Sequence, residues 1–217
     1  MKAVAGACGP EQENPAGGRR ERNTRRNRDA ILAAAREVFR ERGYGASSVR
    51  DIIRRTPLAT GTFYNYFPDK ESVLRVLIED FQRELRQRVH RARVQASSLE
   101  ELLFSAFRCC FEYFARERLL LDLMLRNAGE IQQLTSVAAL EPAIEELAAD
   151  LRQAPGHERI APQDVEALAA SMVAVAGELA FRLAREEPPD VDGAARFATE
   201  LFLGGIERLA HSRRRPG

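Results

Sequence analysis

The chain is poor in the residues that build redox, metal and disulfide sites. Its 217 residues include no tryptophan, three cysteines and three histidines. Cys109 and Cys110 are neighbours, so on a helix they point in different directions, and with Cys8 they form an odd set. This pattern indicates neither a disulfide framework nor metal-ligand spacing. We expect small, buried apolar cysteines and predict no metal and no cofactor.

Long apolar runs are also missing. None reaches the roughly 18 residues that a membrane-spanning helix needs, and the start, "MKAVAGACG", lacks the apolar segment of a signal peptide. The 45% apolar content is nevertheless enough for a packed core. We therefore expect a globular cytoplasmic protein with no membrane partner.

Catalytic motifs are absent from the sequence as well. His90, His157 and His211 are scattered over charged or terminal segments, where we expect solvated side chains. No H-E-x-x-H or nucleophile motif occurs, and the cysteines have no evident base nearby. The sequence predicts no catalytic residues and disfavours an enzyme.

What the chain does have is an uneven distribution of charge. The net charge is +1, but residues 1–70 hold 14 basic against 8 acidic residues, and residues 71–217 hold 19 against 24. Such a split suggests that the first segment meets an anionic partner such as nucleic acid or a membrane surface. Nearly all the positive charge is arginine, since only Lys2 and Lys70 are lysines.

The pattern along the chain predicts an all-α protein with three parts. Residues 1–22 resemble a disordered basic arm that adds nonspecific phosphate contacts, 23–70 form a compact head, and 71–217 form a larger helical body. In the head, a helix with an apolar stripe ends at Gly43, and Tyr44 folds back onto that stripe. No strand signal and no repeat appears.

Two short helices follow in the head. Ser47 or Ser48 is the expected N-cap of the first, with Asp51 placed for a capping box, and Pro57 limits its length. Thr60 is the expected N-cap of the second, which Pro68 closes. Two short helices joined by a tight turn predict a helix-turn-helix.

The stretch "TGTFYNYFPDKES" contains the second helix and suggests how it is used. Phe63 and Phe67 are four residues apart and are expected to face the core. The polar positions between them then face outward, where tyrosine hydroxyls reach phosphates and Asn65 pairs with adenine, while Lys70 places a point charge on a phosphate. An aromatic stripe that only packs a small core, with a lysine there by chance, explains the spacing equally well.

The segment from Ile31 to Leu74 resembles the DNA-binding domain of the tetracycline-repressor (TetR) family. The resemblance rests on "ILAAAREVFRERGYGASSVRDIIRRT", "GTFYNYF" and "DKESVL" and covers about 45 residues without a gap. It implies DNA contacts, with Arg50 as the guanine reader, at these positions: Ser48, Arg50, Thr62, Tyr64, Asn65, Tyr66 and Lys70. Thr60, the expected cap, is also a candidate DNA-binding residue. Pro57 and Ala59 depart from the residues common in the family at this turn.

The body is predicted to consist of long helices. "SLEELLFSAFRCCFEYFA" opens on a capping box of Ser98 and Glu101 and is apolar around most of its circumference, which is typical of a buried helix. Further helices are expected over about 129–153, 163–186 and 191–212. The resemblance implies that the last two pair with a second copy as a four-helix bundle, although both stripes could also serve an internal core. The expected interface residues are Leu168, Met172, Leu179, Phe197, Leu201 and Gly205.

The resemblance also implies a pocket in the body for a small, largely apolar effector of unknown identity. Candidate lining residues are Phe104, Phe107, Phe111, Phe114, Met124 and Met172, with Arg108, Arg126 or Glu178 as polar groups. Aromatics at helical spacing also build solid cores, which is the alternative.

Three functions were weighed against these patterns. The preferred one is a ligand-responsive transcriptional repressor that binds a palindromic double-stranded DNA operator as a homodimer and is released by its effector. An all-helical interaction module and a DNA-binding protein without a small-molecule effector are the alternatives. An interaction module leaves the basic head unexplained.

Overall fold

The computed structural model of the chain describes residues 15–118, 121 and 137–213. In these ranges all the regular structure is helical, which confirms the predicted all-α fold. The α-helices are α1 (Pro15–Arg42), α2 (Val49–Ile53), α3 (Thr60–Tyr64), α4 (Lys70–Val94), α5 (Leu99–Arg116), α6 (Val137–Gln153), α7 (Val165–Leu183) and α8 (Val191–Arg213). Two short 3₁₀ turns, His157–Arg159 and Pro162–Asp164, precede α7.

The chain forms two compact units, the first ending at Val73 and the second beginning at Leu74. We call them the head and the body. The change between them falls inside α4, three residues beyond the boundary expected from the sequence.

Helix α1 begins earlier than the sequence suggested. It starts at Pro15, so residues 15–22, expected to belong to a disordered arm, are helical. Arginine and glutamate are good helix formers, and Glu21 stands four residues before Arg25, a spacing that supports an exposed helix. Residues 1–14 of the expected arm lie outside the described residues.

The head is built on the apolar face of α1. Ile31, Ala35 and Val38 are completely buried there. Gly43 follows the helix with a φ of 76°, a left-handed conformation that glycine adopts without strain. Tyr44 then folds back, and its ring meets that of Phe39 edge to face at 5.3 Å, as the sequence predicted.

The body is organised around α5. Leu103 and Phe111 of this helix are almost completely buried, and the exposed positions include Glu101 and Arg108, as expected for a helix with one polar line. Ser98 accepts a hydrogen bond from the Glu101 amide as predicted, but the Glu101 carboxylate accepts from Ser97, so the capping box is only half formed.

A buried ion pair joins α4 to α6 in the body. Arg93 has a side chain only 6% exposed, and its Nε donates to Asp150 Oδ2 at 2.6 Å. Asp150 also lies 3.1 Å from Nδ1 of His90. A buried guanidinium needs such a partner, because an unpaired charge in an apolar interior is strongly unfavourable.

The cysteines and histidines sit as expected where they are described. Cys110 is buried and Cys109 half-buried, and both are free thiols. His90, His157 and His211 are exposed. Over residues 15–118, 121 and 137–213, no helix is long and apolar enough to cross a membrane, and no group of three or more metal-ligating side chains is found.

We predict that Asp150→Ala lowers the free energy of unfolding by about 3 kcal/mol, because it leaves the buried Arg93 guanidinium without its carboxylate. Urea denaturation measures this change. The matched control is Glu178→Ala, which removes an exposed ion pair with Arg182 and should cost less than about 0.5 kcal/mol. Equal losses in the two variants would contradict the stabilising role of the buried pair.

Candidate functional site

Helix α2 opens with a complete capping box. Ser48 Oγ accepts from the Asp51 amide at 3.2 Å, and the Asp51 carboxylate accepts from the Ser48 amide at 3.0 Å. These bonds confirm Ser48 as the N-cap. Hydrogen bonding to Ser48, aided by Arg42, holds the pKa of Asp51 below its ordinary value. Two otherwise unpaired amides of a five-residue helix are thereby satisfied.

Helix α3 is held by its aromatic anchors rather than by a cap. Phe63 is completely buried and Phe67 is 2% exposed, with ring centroids 5.9 Å apart. The prediction that Thr60 caps this helix is wrong: the N-cap is Ala59, which has no side-chain acceptor, and Thr60 is the first helical residue. The turn closes one residue earlier than expected, so burial of the phenylalanines must position α3.

The polar positions of the head mostly face outward. Ser48, Arg50, Thr60 and Asn65 are exposed, as is Tyr64 at 57%. In the described part of the chain, no carboxylate pairs with the Arg50 guanidinium. Thr62 and Tyr66 are half-buried. This helix-turn-helix therefore presents hydroxyl, amide and guanidinium groups on one exposed surface.

Contacts with α1 fix that surface in place. Arg42 pairs with Asp51 of α2 at 3.0 Å, and Arg55, just after α2, reaches Glu41. A hydrogen bond from Arg55 lowers the pKa of Glu41. At the other end, Asn27 Nδ2 donates to the Tyr66 hydroxyl at 3.2 Å.

Lys70 makes contacts within the head that the sequence did not predict. Its ammonium donates to the backbone carbonyls of Tyr44 at 2.9 Å and Ser47 at 3.0 Å, and Gly45 O lies at 3.5 Å. The same nitrogen lies 4.3 Å from the centre of the Tyr44 ring. An ammonium has three donors, so these contacts leave little capacity for a phosphate. Lys70 therefore braces the turn that leads into α2.

A cavity of about 150 Å³ lies in the body among α4, α5, α6 and α7. Most of its wall is aliphatic or aromatic, and small residues such as Ala106 and Gly177 make room for it. The polar lining residues are Gln82, Arg86, Arg93 and Glu146, all from α4 and α6. Cys110 also lines it, and burial raises the pKa of its thiol to about 12, which keeps the sulfur protonated.

The structure brings only some of the expected pocket residues to this cavity. Phe107, Phe114 and Met172 line it. Three expected residues do not: Phe111 is packed completely inside the core, Arg108 pairs with Asp192 on the surface, and Glu178 pairs with Arg182. Phe104, half-buried, is not part of the lining either. Met124 and Arg126 lie outside the described residues.

Sequence reasoning missed the wall that α4 provides. Its lining positions are 82, 85, 86, 89 and 93, a helical face on which arginines interrupt the apolar residues. That interruption was the available signal. An amphipathic stripe on α4 is equally typical of a helix that only connects two parts of a chain, so the pattern alone does not predict a cavity wall.

The expected interface residues also separate into two groups. Met172 is 1% exposed and lines the cavity, so the prediction that it lies on an interface is corrected. Leu168 and Leu179 are half-buried on α7. Phe197 and Leu201 of α8 are 57% and 50% exposed. Gly205 on the same helix is exposed, with open space where a side chain would project.

Comparison with known proteins identifies a matching family and similar proteins. Residues 31–77 match the family described as "Bacterial regulatory proteins, tetR family". The curated regulator UidR of Escherichia coli K12, an HTH-type transcriptional regulator, is 26% identical over 183 residues, which is 82% of this chain and 92% of UidR.

Solved structures give the same result for the fold. A TetR-family transcriptional regulator from Pectobacterium atrosepticum is 26% identical with a TM-score of 0.67, and the match covers 85% of this chain and 95% of that one. Thermus thermophilus FadR, a TetR-family repressor solved in complex with lauroyl-CoA, is 29% identical with a TM-score of 0.61, covering 82% and 94%.

We predict that Lys70→Met destabilises the head by about 1–3 kcal/mol, because it removes a charged donor from two or three carbonyls. DNA affinity should fall, but the slope of log affinity against log salt should stay unchanged, since no phosphate contact is lost. Thermal denaturation and salt-dependent fluorescence anisotropy measure the two effects. Arg25→Met, which removes an exposed charge from α1, is the control for stability. A slope reduced by about one with unchanged stability would instead assign Lys70 to a phosphate.

Proposed function

Because the chain is a TetR-family transcriptional regulator, a DNA-binding protein and not an enzyme, we propose that it binds a palindromic operator as a homodimer and represses transcription from it. A small, largely apolar effector that occupies the body releases the protein from the operator. The exposed polar surface over buried Phe63 and Phe67 is the observation that carries this proposal. The cytoplasm, where operator DNA is accessible, is the proposed location.

The reader of this operator is the surface of α2 and α3. Arg50 is free of carboxylate partners in the described ranges, so its guanidinium is available to fork onto O6 and N7 of guanine. Asn65 offers an amide for adenine, and the Tyr64 hydroxyl suits a phosphate oxygen. The contacts made by Ser48, Thr60, Thr62 and Tyr66 are proposed to position the head on the backbone.

The partner copy is proposed to pack on α8. Phe197, Leu201 and Leu209 are large apolar residues left 57%, 50% and 42% exposed on one helix, and Gly204 and Gly205 beside them allow a close approach. Leu168 and Leu179 of α7 would extend the contact. One head reads only a few base pairs, whereas a two-fold pair reads half-sites about 34–36 Å apart or a multiple of that.

The effector site is proposed to be the cavity among α4 to α7. Its mostly apolar wall with a few polar groups at one side is the composition of a small-molecule site. FadR, similar to this chain, was solved with lauroyl-CoA, which supports a ligand with an apolar part. Release follows by population shift, in which the effector favours a spacing of the two heads that does not fit both half-sites.

We predict that selection from random duplexes recovers an inverted repeat, and that Arg50→Ala weakens binding to it by about 1–3 kcal/mol while relaxing the preference at one base pair of each half-site. Anisotropy titrations against single-base variants of the operator measure both effects. Arg40→Ala, an exposed arginine of α1, is the control for loss of charge alone. A uniform loss on all duplexes in both variants would contradict base reading by Arg50.

We predict that Leu201→Glu raises the dissociation constant of the dimer at least tenfold, because it places a charge where apolar side chains from two copies meet. Analytical ultracentrifugation measures the change. Arg196→Glu, exposed on α8 about 140° around the helix from Leu201, should leave the dimer intact. Dimers of unchanged stability in Leu201→Glu would exclude this face of α8 as the interface.

A further inference from the structure

One donor on the cavity wall lacks an acceptor. The Nε atom of Arg86 is buried and meets no hydrogen-bond partner among the described residues. Arg86 is 26% exposed and its Nε forms an ion pair with Glu146 Oε1 at 3.4 Å, but this contact lacks hydrogen-bonding geometry. Buried N–H groups are nearly always bonded, so an exception at the edge of a cavity calls for an explanation.

The second arginine that lines the cavity has a guanidinium with a structural role, and its bonding can be compared with that of Arg86. Arg93, seven residues further along α4, has its Nε bonded to Asp150 at 2.6 Å. Glu146, in contrast, is 43% exposed and is not held against Arg86 by a comparable bond. Arg86 Nε is therefore left to bond with something that enters the cavity.

The volume and lining of the cavity limit the kind of ligand that can enter it. A volume of about 150 Å³ equals that of an engineered apolar cavity that binds benzene, so the described space fits a body of about six to ten heavy atoms. The wall opposite Arg86 is formed by α5 and α7 and contains Phe107, Cys110 and Met172. It offers no charged side chain, so only the α4 and α6 side recognises a polar group.

We propose that the ligand of this cavity has a compact apolar body with an acyl oxygen at one end, and that this oxygen accepts a hydrogen bond from Arg86 Nε. The inference rests on the proposed effector function and names the class of effector. A carboxylate and a neutral carbonyl share this chemistry. A cationic end group is disfavoured because it has no acceptor for Nε and is repelled by the guanidinium, while the Glu146 carboxylate on this wall is already paired with Arg86.

The test uses the full-length protein and four matched probes: benzoate, methyl benzoate, toluene and benzylammonium. Titration calorimetry is expected to show that benzoate or methyl benzoate binds about tenfold more tightly than toluene, the gain of one bond from a charged donor. Benzylammonium should bind more weakly than toluene. A preference for benzoate over its ester assigns a carboxylate, and equal binding assigns a carbonyl.

The variant Arg86→Gln should abolish the difference between benzoate and toluene while toluene binding persists. Arg83→Gln, which alters an exposed arginine of α4 paired with Asp80, should leave the difference intact. Toluene that binds wild type as tightly as both acyl probes would overturn the proposal, since the donor would then be satisfied by water or by another part of the chain. This comparison needs no variant and so does not depend on how Arg86→Gln folds.

Operator affinity, measured with and without the tightest probe, reports separately on the proposed function. Binding that depends on Arg86 but leaves operator affinity unchanged would support the ligand class and contradict the effector role. Failure of all four probes to bind would overturn the proposed ligand class, whereas operator binding measured without any probe would still test the proposed DNA-binding function.

Discussion

The DNA-binding surface depends on the burial of two phenylalanine rings. Helix α3 has five residues, too few to be stable alone, and its N-cap residue provides no side-chain hydrogen bond. Phe63 and Phe67, almost completely buried against the head, therefore determine where the helix lies. Once these rings are fixed, the rotation of about 100° per residue along the helix leaves Tyr64 and Asn65 on the exposed side. A cavity under either ring would shift every exposed polar group of α3.

The charged residues around this core act mainly as braces. Arg42 and Arg55 form ion pairs that hold α2 against α1. Lys70 donates hydrogen bonds to backbone carbonyls of the turn before Ser48. The head is rich in positive charge, but the structure separates two uses of it. Bonds to carboxylates and carbonyls fix geometry, whereas the exposed Arg50 pairs with no carboxylate in the described part of the chain. Pairing, rather than charge count, identifies the structural cations.

Much of this could be predicted from the sequence, because it follows from local patterns. The helical stripes, the Ser48 capping box, the Gly43 helix end and the inward Phe63 and Phe67 depend on spacing along the chain and were predicted correctly. The carbonyl partners of Lys70 were not predicted, because they lie 23 to 26 residues away and only tertiary structure brings them to its ammonium. The pocket lining was only partly predicted for the same reason. Helical spacing identifies an apolar face of α5 but not which part of that face meets solid core, as Phe111 does, and which meets a cavity, as Phe107 does.

The two arginines of the cavity wall extend this distinction to the body. If stability alone had shaped the wall, position 86 would favour an apolar side chain, because the half-buried Arg86 places an Nε–H without a hydrogen-bond partner beside an apolar space. Arg93 escapes this argument through its bond to Asp150, whereas Arg86 Nε has no equivalent. An incompletely satisfied donor beside an apolar space reduces stability by about 1–3 kcal/mol, and a ligand that supplies the acceptor recovers that energy on binding. Arg86 would then contribute to ligand affinity, and a ligand-controlled switch would further require that the ligand bind one conformation of the protein more tightly than the other.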